Sequence, residues 1–157
     1  MILSKIDIAG LVVVGLLLVW QDAHSESDLI MHYGSKHFGS GAANENFNEK
    51  NYGVGVKHRL GRNFSVRGGV YDNSYNNGSV YLSGDWHTSN RWFNYGIQAG
   101  GVTGYRGTPQ GARSVEAYLL PYIAVGTRFV TAEVGCIPPL GAANIGVITL
   151  SARVALW

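Results

Sequence analysis

A chain of 157 residues has room for one domain; 46% hydrophobic against 14% charged residues excludes a disordered chain, and 22 glycines exclude an ordinary helical enzyme. The formal net charge of +2 is too small and too scattered for a nucleic-acid partner or a polybasic membrane anchor. The single cysteine, Cys136, excludes an intramolecular disulfide. Its apolar setting, Val134-Gly135-Cys136-Ile137, marks a buried or lipid-facing thiol rather than a nucleophile.

Residues 1–25 read as a cleaved secretory signal peptide: Lys5 in a short basic start, an apolar stretch Ile8 to Trp20, then polar residues ending Ala23-His24-Ser25. The apolar stretch falls short of the roughly 20 residues a bilayer-crossing helix needs, so residues 26–157 are expected to be the mature domain. From Asp28 onward no apolar period of 3.6 is sustained, while alternation with period two recurs between turn-forming clusters. This predicts an all-β chain with strands at about 28–38, 50–60, 64–74, 78–87, 92–106, 115–125, 128–137 and 146–157.

The second strand sets Tyr52, Val54, Val56 and Leu60 against Asn51, Gly53, Gly55, Lys57 and Arg59. The third sets Phe64, Val66 and Val70 against Ser65, Arg67 and Gly69; the fifth sets Phe93, Tyr95, Ile97 and Ala99 against Asn94, Gly96, Gln98 and Gly100. The eighth sets Ile148, Leu150, Ala152, Val154 and Leu156 against Thr149, Ser151 and Arg153, and ends on Trp157, an aromatic ending typical of outer-membrane barrels. Glycines and unlike charges on the polar face fit a narrow lumen rather than the outside of a soluble sandwich, and a closed barrel removes the edges that lipid forbids. The expectation is an eight-stranded antiparallel transmembrane β-barrel in a bacterial-type outer membrane, a monomer with no nucleic-acid partner.

With a periplasmic N-terminus, the outer loops fall at about 39–49, 75–77, 107–114 and 138–145, and most are longer than the inner turns, as in such barrels. Lys57, Arg59, Arg67, Asp85 and Arg153 then form a charged lower floor, in which Asp85 is expected to pair with Arg59 or Lys57. Gly53, Gly55, Gly69, Gly100 and Gly101 are expected in the middle or upper lumen, leaving space for a ligand such as an acyl chain or packing the barrel closely.

The segment Phe47-Asn48-Glu49-Lys50-Asn51-Tyr52-Gly53-Val54-Gly55 resembles one in the lipid A palmitoyltransferases of Gram-negative outer membranes. So do Asp72-Asn73-Ser74-Tyr75-Asn76, with Trp86 twelve residues after Ser74; Ala99-Gly100-Gly101-Val102-Thr103; Leu119-Leu120-Pro121-Tyr122-Ile123-Ala124-Val125-Gly126; and Ile137-Pro138. The resemblance implies an enzyme that moves an acyl chain from a phospholipid to lipid A, with a His, an Asp and a Ser near the outer rim. Acyl transfer needs a base acting on a hydroxyl, and donors for the oxyanion. Strand direction sets His37 at the outer end of strand one and Asp72, Asn73 and Ser74 at that of strand three, so these four are the candidate catalytic residues; His32, deeper in the wall, is the second choice of base. No cofactor and no metal ligand set is expected.

Three departures accompany the resemblance. Asn73 stands where the family has its catalytic Asp, Asp85 stands where it has the glycine at its acyl-pocket floor, and almost nothing separates the expected cleavage site from strand one, where the family has an amphipathic helix. Asn73 and Asp85 favour the alternative expectation, a non-catalytic barrel acting as a surface or lipopolysaccharide-binding protein. His87-Thr88-Ser89-Asn90 resembles a motif of outer-membrane lipid A 3-O-deacylases but falls in an inner turn and reads as a polar turn. Glu45 and Glu49 read as solvated loop residues rather than ligands of a cation bridging lipopolysaccharide phosphates, phosphates that Arg106 and Arg113 in the third loop are placed to meet.

Overall fold

The computed structural model describes residues 26–88, 90–105, 115–139 and 144–156. The expected signal peptide, Arg106, Arg113 and Trp157 lie outside them. Eight strands follow one another: β1 (Ser27–Phe38), β2 (Gly53–Arg59), β3 (Phe64–Asp72), β4 (Gly78–His87), β5 (Phe93–Val102), β6 (Glu116–Gly126), β7 (Val130–Ile137) and β8 (Gly146–Ala155). Every neighbour pairs antiparallel, and β1 closes on β8 from Asp28↔Ala155 to Phe38↔Gly146, so the sheet is a complete barrel without a free edge strand.

The connections at the lower end are tight. The β2–β3 turn closes with the Leu60 and Gly61 N–H groups on the Phe64 carbonyl. In the β4–β5 turn the Asn94 side chain bonds both backbone groups of Asn90, its Oδ1 accepting the N–H and its Nδ2 donating to the carbonyl, and the Thr127 hydroxyl accepts from the N–H of Phe129 and Val130 in the β6–β7 turn. β2, β3, β5, β7 and β8 are shorter than sequence alone implies, and β5 and β3 show why. β5 was expected to reach 106 but ends at Val102, because Gly104 takes φ +88° and turns the chain. β3 ends at Asp72 because Asn73 begins a turn of its own.

The alternation sorts the wall as its period demands. Leu82, Ile123, Val125, Val130 and Ile148 stand exposed on the outside. Within the strands, the outward positions carry no Asp, Glu, Lys or Arg except Lys36 and Asp72 at the upper ends. Phe64, Trp86, Trp92, Phe93, Tyr95 and Phe129 form an aromatic girdle near the lower end, with the Arg91 guanidinium over the Trp92 ring (5.1 Å) and that of Arg128 over Phe129 (4.5 Å). Soluble monomers do not expose an uncharged apolar belt around the whole molecule; a barrel in hydrocarbon must. Gly101 corrects the expectation that placed it in the lumen: it pairs with Leu82, which is 69% exposed, and so lies on the outer face.

Inside, the lower half holds a closed ion network. Asp85 receives Lys57 Nζ at 2.7 Å, Arg67 Nη2 at 3.1 Å and the Tyr122 hydroxyl at 2.7 Å. Glu133 receives Arg67 Nη1 at 2.6 Å and Gln98 Nε2 at 3.1 Å, with Arg153 Nε also 3.1 Å away; Arg153 Nη1 reaches Asp28 at 2.8 Å. Three cations thus meet three carboxylates, which is how buried charge is tolerated. Of the two partners expected for Asp85, Lys57 takes the role and Arg59 pairs with Glu26 instead. The lumen glycines make room chiefly for aromatic rings. A Cβ on Gly55 would collide with the Tyr81 hydroxyl, and one on Gly96 would lie 2.6 Å from that of Tyr122.

Candidate functional site in the upper lumen

Above the ion network lies a cavity of about 310 Å³, with Arg67, Gln98 and Glu133 at its floor and Tyr71, Tyr81 and Tyr118 among its walls. His32, Ser35 and His37 of β1 all line it. Strict alternation would turn His32 and His37 to opposite faces. The register against β8 slips between His32↔Ser151 and Gly34↔Leu150, so Tyr33 is the extra residue of a β-bulge that restores the lumen face to Ser35 and His37. Gly34 is needed there because the Glu49 carbonyl of the first loop closes on it: a Cβ would sit 2.6 Å from that oxygen. The same carbonyl accepts the Ser35 N–H at 3.0 Å, and the Ser35 hydroxyl bonds the Asn51 side chain, pinning the loop to the cavity mouth.

At the mouth, the His37 ring stacks on Phe47 (4.0 Å, 17°), Phe47 meets the edge of Tyr75 (5.7 Å) and Tyr75 that of Tyr105 (6.0 Å). The Tyr105 and Tyr71 hydroxyls bond at 2.9 Å, completing an aromatic arc around the opening. Burial pushes the Tyr105 phenol pKa up, while its bond to Tyr71 acts in the opposite direction, so this group is a neutral donor and acceptor at neutral pH. Ser74, 6% exposed, lines the same cavity. His37 Nδ1 is buried without a hydrogen-bond partner, and among the described residues no hydrogen bond joins His37 to Ser74. His32, lower down, bonds the Tyr81 hydroxyl through Nε2 at 3.0 Å.

Asn73 is fully buried and its amide is fully used. Oδ1 accepts the N–H of Tyr75 (2.9 Å) and Asn77 (3.0 Å), while Nδ2 donates to Ser79 Oγ (3.0 Å) and to the Gly104 carbonyl (2.9 Å). A carboxylate cannot make the last bond, so asparagine is what ties the β3–β4 turn to the chain leaving β5. Asp72 stands on the outer face: it is exposed, and its backbone carbonyl accepts Asn51 Nδ2 at 2.9 Å. His37, Ser74 and His32 therefore share one cavity, Asn73 adjoins it with its side chain turned into the fold, and Asp72 lies outside it.

The wall beside the cavity is interrupted. The β6–β7 ladder runs from Gly126↔Thr131 to Tyr122↔Gly135 and stops at Pro121, which has no N–H to offer. β6 continues upward to Glu116 without a partner on that side, and Glu116, Ala117 and Leu120 border the cavity. Residues that sequence reasoning missed include Glu133, which the alternation of β7 does place inward, and the arc-forming Phe47, Tyr71 and Tyr105, whose meeting depends on loop conformation.

An apolar belt, a strand order closed from β1 to β8 and a polar lumen with an upper cavity define a transmembrane β-barrel of the outer-membrane type. No protein-family description matches the chain, and no curated protein matches it in sequence. Among solved structures it is similar to the N-terminal β-barrel domain of Pseudomonas aeruginosa OprF, with 14% identity, a TM-score of 0.49, and coverage of 83% of this chain and 97% of that one.

Proposed function

We propose that this chain is an outer-membrane barrel that admits an outer-leaflet lipid into its upper lumen and transfers an acyl chain from a phospholipid to lipid A, acting as a monomer without a cofactor. The observation that carries this reading is that His37 and Ser74, from β1 and the β3–β4 turn, line a single cavity beside an unpaired stretch of β6. His37 acts as base on the Ser74 hydroxyl or on the acceptor hydroxyl; the oxygen so activated attacks the ester carbonyl, and the lysolipid leaves as its alcohol with the proton returned by His37. On the Ser74 route the acyl-serine then passes its chain to the lipid A hydroxyl by the same exchange, which frees Ser74 again. Of the Tyr71 and Tyr105 hydroxyls, at the same mouth, one proton is spent on their mutual bond, which leaves the other as the donor available to a developing oxyanion.

A non-catalytic role, as a surface or lipopolysaccharide-binding barrel, is favoured by Asn73 and Asp72. The one is spent on the fold and the other faces outward, so neither holds the His37 imidazole as a carboxylate does in hydrolytic triads, where loss of that carboxylate costs about 10⁴-fold in kcat. Mass spectrometry of lipid A from cells expressing the chain separates the two. Acyl transfer predicts one added acyl group, lost in His37→Ala while the barrel still assembles. Unchanged lipid A, with lipopolysaccharide retained on the purified barrel, means the non-catalytic role.

A further inference from the structure

At the opposite end of the lumen lies a second cavity, of about 290 Å³, whose chemistry differs from the first. Five cations line it, Lys57, Arg59, Arg91, Arg128 and Arg153, against one carboxylate, Asp28. Three of the five are committed: Lys57 to Asp85, Arg153 to Asp28 and Glu133, and Arg59 to Glu26. Arg91 and Arg128 have no carboxylate partner among the described residues. Each lays its guanidinium over the aromatic ring next to it in sequence, which occupies the face of the group and leaves its N–H edge open.

The two arginines sit on neighbouring turns, β4–β5 and β6–β7, whose backbones are joined by the bond from the Gly126 N–H to the Trp92 carbonyl at 3.0 Å, and both line this cavity. His87, 6% exposed, also lines this cavity, with its Nδ1 3.4 Å from Asp85 Oδ2. Because the ion network above is already neutral, the charge of Arg91 and Arg128 is surplus to the fold. We infer that this lower mouth is a binding site for a phosphate group, gripped by the paired guanidinium edges of Arg91 and Arg128. Guanidinium forks match phosphate oxygens, and the site lies level with the aromatic girdle, where the headgroups of the facing leaflet run. Phospholipid headgroups and soluble phosphate present the same chemistry there.

The test uses the barrel refolded in a maltoside detergent, which carries no phosphate, with arginine side chains labelled for NMR. Inorganic phosphate is titrated in one arm and short-chain phosphatidylglycerol in the other, with chloride at matched ionic strength as control. A saturable shift of the Arg91 and Arg128 Nε–H signals is expected, with affinity falling about tenfold for each arginine replaced in Arg91→Gln and Arg128→Gln. Arg62→Gln, on the neighbouring β2–β3 turn and outside the cavity, leaves it unchanged. Response to both ligands supports a general phosphate site, and response to the lipid alone assigns it to headgroups. No saturable shift with either, an equal response to chloride, or undiminished affinity in the double variant overturns the proposal.

Discussion

Replacing Arg67 with methionine is expected to destabilise the folded barrel by about 3–5 kcal/mol. Arg67 is 2% exposed and bridges the two buried carboxylates of the lower lumen, Asp85 and Glu133. Methionine fills much of the volume but withdraws the shared cation and leaves two negative charges facing each other. Lys57 and Arg153 each still hold one of them, so the barrel weakens without losing its whole network. Equilibrium urea unfolding in lipid vesicles reads the loss, and a double-mutant cycle with Glu133→Gln isolates the pair. Neutralising Glu133 relieves the repulsion, so the double variant is expected to lose less than the sum of the two single losses. Strict additivity would mean that the two groups do not act on each other.

Leu82→Arg should cost about 2–4 kcal/mol in the same assay. Leu82 lies midway along β4 and is 69% exposed, a position where a soluble protein takes a charge with little effect. In lipid the guanidinium meets hydrocarbon and must stretch toward a headgroup. The same substitution one residue along, Ser83→Arg, tests packing instead, because Ser83 is buried on the lumen side. A Leu82→Arg protein as stable in vesicles as the parent would remove the lipid contact on which the outward face is read.

Much of this architecture is legible from the period-two pattern. Glycines and charges keep to one face and branched or aromatic residues to the other, and β4 runs from Gly78 to His87 as the pattern implies. Arg67 and Asp85 were readable as lumen charges, since their strands alternate cleanly. The β1 bulge was not read, because it depends on how Gly34 receives a loop carbonyl fifteen residues on, although a glycine inside a strand is itself a signal for one. The chemistry of Asn73 was least legible. Its amide is consumed partly by the carbonyl of Gly104, 31 residues away, and no local pattern distinguishes a residue facing a substrate from one tying two loops together. His37 and Ser74 could be set at the same end from strand direction alone; the stacking of His37 on Phe47 required the fold.

The central claim, a barrel whose β4 alternates between lipid and lumen, is tested most directly by spin labels placed singly at positions 80 to 86 with Cys136 replaced by serine, in vesicles of the protein. Labels at Val80, Leu82, Gly84 and Trp86 should be relaxed more by oxygen, which partitions into lipid, than by a polar nickel chelate. Those at Tyr81, Ser83 and Asp85 should lack that oxygen excess, giving a period of two along the strand. Nickel accessibility equal to or above that of oxygen at Leu82 and Gly84, with no alternation, would contradict the membrane barrel and every reading of its lumen built upon it.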